Sequence, residues 1–159
     1  MDKKVIVQKI IAALQNQLDA YTRAAHDAHA AATDPGSKAE NKYDTRSLEA
    51  SYLARGQALR VAEAEQALSD FSAPLLLIDH HGKSAVLGSL VMLESMQEQS
   101  LYFIGPSAGG LEVQSEGYQV LVITPSSPMG KQLLGKKQGE QFQLKTGAQL
   151  ATALVCLVQ

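Results

Sequence analysis

Apolar side chains in the first part of the chain recur at alternating spacings of four and three: Val7, Ile11, Leu14, Leu18, Tyr21, Ala25, Ala28 and Ala32. Such spacings hold one stripe against a partner helix and form the a/d seam of a coiled coil over about four heptads. The seam side chains shrink toward Ala32, which lets a partner backbone come close there. Pro35-Gly36 then interrupts the pattern, because proline has no N–H for a helix interior and glycine leaves the turn unrestrained. Ser37 is placed to cap a second helix, with Glu40 at its third position in the capping-box pattern. From about Ser37 to Phe71 this helix carries a weaker seam of Asn41, Leu48, Tyr52, Leu59 and Ala62. Gly56 costs it about 1 kcal/mol relative to alanine. The expectation is an antiparallel pair over residues 4–33 and 37–70, a rod of roughly 45 Å at ~1.5 Å per residue. Pro35-Gly36 marks its far end.

Ser72-Ala73-Pro74 ends the helical period, and strand-like texture takes over. Pro74–Ile78 is a short apolar run, followed by a turn signal at Asp79-His80-His81-Gly82. Val86–Leu93, Gln99–Ile104, Tyr118–Ile123, Glu140–Leu144 and Thr152–Val158 read as strands bounded by Gly, Pro and Ser. One short helix is expected, opening at Ser127-Pro128 and closing at Gly135, with proline in the first turn and glycine past the end. The fold class is therefore α+β. An antiparallel coiled-coil hairpin occupies residues 1–72, and a small, mostly β domain occupies 73–159.

Composition narrows the function classes. At 159 residues and 45% hydrophobic content, the chain can bury one good core or a small core plus an extended element. The net charge of −2 is spread evenly, with 9 Lys/Arg against 10 Asp/Glu in residues 1–72 and 5 against 6 thereafter. That balance argues against a protein that coats nucleic acid through its bulk field. A single cysteine, Cys156, excludes an internal disulfide framework and the usual cysteine-based zinc sites. The apolar run near Met1 is too short for a signal peptide, and no segment reaches the ~20 apolar residues of a membrane span. The expectation is a soluble, cytoplasmic protein without membrane association.

The chemistry gathers at the turn between the helices. Asp34, Glu40 and Asp44 concentrate charge where there is no core to bury, and Glu40 and Asp44 share a helix face at a spacing of four. An acidic helix start is most often simple capping and dipole compensation, worth under ~1 kcal/mol per charge. Lys38, Lys42 and Arg46 form a basic strip on the other flank, which suits either solvent or RNA phosphates. His26 and His29 have no third metal ligand at a useful spacing and read as surface residues. Gly130–Lys137 approaches a phosphate-binding loop but lacks its closing Ser/Thr, and Gly105–Gly110 lacks the strand-to-helix setting of a nucleotide site. Cys156 lies in an apolar final strand, where an inert thiol is expected.

Two stretches carry a resemblance. Ser127-Pro-Met-Gly-Lys-Gln-Leu-Leu-Gly-Lys-Lys-Gln-Gly-Glu-Gln-Phe-Gln-Leu144 resembles the segment of Gre transcript-cleavage factors that reads Ser-Pro, a short helix, Leu-hydrophobic-Gly-Lys and an acidic turn into a strand. Gly36-Ser-Lys-Ala-Glu-Asn41 is similar to their tip motif, Gly-Asp-hydrophobic-x-Glu-Asn. The order of parts, coiled coil first and FKBP-like β domain second, also agrees, so the resemblance covers nearly the whole chain. It implies a partner, bacterial RNA polymerase, with the β domain docked at the rim of the secondary channel through the surface of Ser127, Pro128 and Met129. The hairpin would enter that channel, and tip carboxylates would help hold the polymerase's second Mg²⁺ at the nascent RNA 3′ end. Such a protein is not itself an enzyme, binds no cofactor alone and has no small-molecule substrate. At most it stimulates the polymerase's own RNA cleavage. Gly36, Glu40 and Asn41 match the family motif, but Ser37 stands at its first acidic position and Tyr43 at a later one. Mg²⁺ wants charged oxygen ligands, and a serine hydroxyl is a neutral, weak one. Glu40 with Asp44, or with Asp34, is the substitute metal pair. The expectation is channel binding with weak or no cleavage. A full cleavage factor and a coiled-coil adaptor with another target remain the alternatives. An FKBP-like fold also suggests a prolyl isomerase, yet no Trp and only three Phe leave its aromatic pocket hard to build.

Overall fold

The computed structural model describes residues 1–33, 46–80, 84–147 and 149–159. Helices α1 (Lys3–Thr33) and α2 (Arg46–Phe71) form an N-terminal helical hairpin. A 3-10 turn, Pro74–Leu77, leads to strands β1 (Leu90–Ser95), β2 (Glu98–Ile104), β3 (Glu112–Ser115), β4 (Tyr118–Ile123), β5 (Gln141–Thr146) and β6 (Gln149–Val158). A short helix, α3 (Pro128–Leu133), lies between β4 and β5. The fold is α+β, as the hydrophobic pattern predicts. The chain divides into two compact units, Met1–Ala12 with Ser69–Gln159, and Ala13–Leu68.

In the first unit the six strands form one sheet in the order β3-β4-β2-β1-β6-β5. Its neighbours are antiparallel except β2 and β4. Side chains alternate between faces along a strand, so the register places Leu90, Leu101, Phe103, Val113, Val120 and Val122 on one face. All six are buried. The ring of Phe71 lies 6.0 Å from that of Phe103, centroid to centroid. Gly105 makes this possible, since a Cβ there would sit 2.7 Å from Phe71 Cζ. The start of α1 adds buried Ile6, Val7 and Ile10 to the same unit. Polar ties hold it there: Lys9 Nζ donates to Gln114 O at 2.8 Å, and Lys3 Nζ donates to Ile78 O. Burial pushes the Lys3 ammonium below its ordinary pKa, against the attraction of Asp79. The opposite face holds a second core of Val91, Leu93, Ile104, Ile123, Leu133 and Val155, with Met129 and Phe142 packed against it.

The second unit confirms one predicted seam and corrects the other. Along α1, Leu14 and Ala28 are buried and Leu18, Tyr21, Ala25 and Ala32 half-buried. On α2, however, Leu48, Tyr52 and Leu59 point outward at 54%, 68% and 59% exposure, and Ala62 is exposed too. The covered positions are Ala50, Ala54, Gln57, Val61 and Ala64. They repeat at the same spacings of four and three, rotated half-way round the helix. Small side chains thus face the tapering alanine seam of α1, where Leu and Tyr would hold the helices apart. The Arg60 guanidinium lies 5.9 Å from the Tyr21 ring centroid, a cation–π contact within this unit. Asn41 of the expected seam lies outside the described residues.

Three further differences have local causes. Pro74–Ile78 is not a strand: Pro74 opens a 3-10 turn in which Leu76 alone is buried. β1 begins at Leu90 rather than near Val86, because Gly88 turns the chain at φ 85°. β3 is short and mostly polar, Glu-Val-Gln-Ser, and carries too weak an alternation to read.

The β1–β2 turn puts two side-chain-bearing residues in the left-handed region, Met96 at φ 52° and Gln97 at φ 66°. Two-residue turns of this geometry favour Asn-Gly, and L-residues there lose on the order of 1 kcal/mol each. Replacing Met96→Asn together with Gln97→Gly should stabilise the protein by about 1–2 kcal/mol, raising its urea midpoint. A lowered midpoint would contradict this description of the turn.

Candidate functional site

The Ser127-Pro128-Met129 site is a capped helix start. Ser127 is extended at φ −65°, ψ 155°, and its Oγ accepts from Gly130 N at 3.0 Å while donating to Thr124 O at 2.7 Å. That is a working N-cap. Pro128 follows at the first helical position, where its missing N–H leaves nothing unsatisfied. Pro128 is exposed, Ser127 half-buried, and Met129 half-buried against the second core. Gly130 is buried under the turn, and a Cβ there would fall 2.0 Å from Thr124 O. Only glycine fits.

The rest of the motif is mostly structural. Leu133 is fully buried, and Gly135 turns the chain at φ 81° while its N–H donates to Ala85 O at 2.8 Å. Lys136 Nζ pairs with Glu140 Oε1 at 2.6 Å and lies 5.0 Å from the Phe142 ring centroid. The hydrogen bond from Lys136, then that from the Lys137 amide, holds the Glu140 carboxyl below its ordinary pKa. What remains on the surface is Pro128 with Lys131, Leu134 and Lys137. These flank one another on and just after α3, an apolar edge with two cations. Leu134 and Gly130 were not singled out from the sequence, because neither burial nor a forbidden Cβ can be read from residue type.

The tip residues Asp34, Gly36, Ser37, Lys38, Glu40, Asn41, Tyr43, Lys42 and Asp44 lie outside the described residues, as do His81 and Gly82. Arg46 is the first residue of α2. His26 and His29 are exposed on α1, and no group of three metal-ligating side chains occurs among the described residues. Two amides of the glycine-rich loop are spent within the fold: Gly105 N donates to Ile123 O and Gly110 N to Val122 O, each at 2.8 Å. Cys156 is half-buried with Sγ 3.8 Å from Glu94 Oε2. Burial first, and the Glu94 charge second, push its pKa up, which keeps it a thiol rather than a nucleophilic thiolate. No described helix is long and apolar enough to cross a membrane.

No family model and no curated protein matches the chain. Among solved structures it is similar to the transcription factor Gfh1, at 21% identity over 93% of this chain and 92% of that one, with a TM-score of 0.40. Gfh1 of Thermus aquaticus is 23% identical over 92% of each chain, TM-score 0.40. A prokaryotic elongation factor GreA/GreB from Nitrosomonas europaea is 17% identical over 60% of this chain and 78% of that one, TM-score 0.35.

The geometry separates folding from surface roles at neighbouring positions. Gly130→Ala should destabilise by about 3 kcal/mol through overpacking against Thr124, and Ser127→Ala by about 1 kcal/mol through loss of the cap. Pro128→Glu should leave the denaturant midpoint nearly unchanged. A Gly130→Ala midpoint equal to that of the parent would refute the cap geometry.

Proposed function

We propose that this chain is a Gre-like regulator of bacterial transcription, which binds RNA polymerase through the α3 edge and places its helical hairpin in the secondary channel. The observation that carries the reading is one conjunction. A Ser-Pro motif of Gre type starts a capped helix with its proline exposed, in a chain whose long helical hairpin precedes the sheet. Most of the motif is spent on folding, which leaves Pro128, with Lys131, Leu134 and Lys137, as the part of it free to touch a partner. Met129, half-buried against the core, contributes by holding the edge in shape.

The polymerase effect follows from the tip's side-chain chemistry. A site for a second Mg²⁺ needs anionic oxygens to compete with water. Ser37 removes one carboxylate from the Gre pattern, and Glu40 with Asp44 or Asp34 supplies a less complete set. Binding depends instead on the rod and on the α3 edge. The protein therefore occupies the channel, competes with other channel-binding factors and alters initiation or pausing while trimming RNA slowly. Lys38, Lys42 and Arg46 are the candidates for contact with RNA phosphates.

Purified protein and purified bacterial core polymerase test this directly. Saturable binding is expected, weakened at least about tenfold by Pro128→Glu, the loss typical of a truncated interface anchor. On backtracked complexes Ser37→Asp should speed cleavage and Glu40→Ala should abolish the residual rate. No binding to polymerase would overturn the reading. Cleavage as fast as a full Gre factor, indifferent to Glu40→Ala, would overturn the assignment of the tip.

A further inference from the structure

Gln132 lies one turn after Pro128 on α3, and its carboxamide is engaged at both the nitrogen and the oxygen. Nε2 donates to Pro128 O at 3.1 Å and to Lys145 O at 3.0 Å, while Oε1 accepts from Lys145 N at 2.7 Å. Strand β5 is an edge of the sheet, hydrogen-bonded to β6 alone. Alternate residues of such a strand turn both backbone groups away from the sheet. At Lys145 the Gln132 side chain supplies the partner peptide that the edge lacks, an N–H for the carbonyl and an oxygen for the amide. Among the described residues, no other side chain of α3 is hydrogen-bonded to a strand.

Folding alone does not ask for this arrangement. Gln132 is half-buried and Lys145 exposed, and the three bonds lie where water could serve the same groups. Holding a glutamine in one rotamer instead costs side-chain entropy. What the arrangement supplies is position. Ser127 Oγ ties the residue before Pro128 to Thr124 O at the exit of β4, and Gln132 ties the Pro128 carbonyl to β5. The pyrrolidine ring sets the φ between them. Pro128, exposed on the edge, is thus held from both sides. We infer that Gln132 is a positioning residue for polymerase docking: its carboxamide clamps the α3 edge to β5 and presents Pro128 in one arrangement. The inference rests on the proposed polymerase binding. Gln132 acts through Pro128, by removing motion that the complex would otherwise have to freeze.

Gln132→Met keeps the length and helix propensity of glutamine and removes all three bonds. Affinity for purified core polymerase should fall about fivefold, and the Lys145 amide should exchange with solvent at least about tenfold faster. A double-mutant cycle with Pro128→Glu separates positioning from a folding role. The double variant should bind no more weakly than Pro128→Glu alone, because the clamp then has nothing left to position. Gln132→Ala, which shortens the side chain and keeps a good helix former, repeats the cycle should the methionine variant fail to fold. Wild-type binding that Pro128→Glu weakens and Gln132→Met leaves within about twofold overturns the inference and leaves the polymerase reading standing. A double variant weaker than Pro128→Glu by the full Gln132→Met factor also overturns it, because Gln132 then acts independently of Pro128. Absence of wild-type binding overturns both.

Discussion

The packing of Phe71 on Phe103 is the contact on which the sheet-bearing unit depends. It joins the end of α2 to the centre of the sheet, and Gly105 is cut away to admit it. Ile6, Val7 and Ile10 are buried in the same unit. A helix pair alone buries little, since its inward side chains are mostly alanine and each contributes only a small share of the apolar transfer energy. Close packing of those small side chains leaves α2 with its larger ones on the outside.

The same economy shapes the α3 edge. Ser127, Gly130, Leu133, Gly135 and the Lys136–Glu140 pair fix the turn, the buried floor and the exit into β5. A surface held by so many partners is preorganised, and a rigid edge pays less ordering entropy on binding than a loose loop. Pro128 stands on it already fixed in φ.

Much of this was legible in the residues themselves. The seam of α1 showed because Val, Ile, Leu and Tyr mark its inward positions, and the Ser-Pro start of α3 showed because capping chemistry is local. The seam of α2 was misread for a physical reason. Its true inward residues, Ala50, Ala54 and Ala64, are ordinary helix formers that signal no face, while Leu48, Tyr52 and Leu59 imitate a seam at the right spacing. Volume matching against the small side chains of α1 decides the rotation, and that is a property of two helices together. β3 escaped for a related reason: its pairing with β4 comes from the sheet, not from its own alternation. The tip motif, though readable as chemistry, lies outside the described residues.

Photocrosslinking tests the central claim most directly. A photoreactive amino acid is placed at position 128, and the variant is mixed with purified bacterial core polymerase. The account predicts that position 128 crosslinks to a polymerase subunit in a one-to-one complex, and that unlabelled protein competes the product away. Failure to crosslink, or products formed only between copies of this chain, would contradict it.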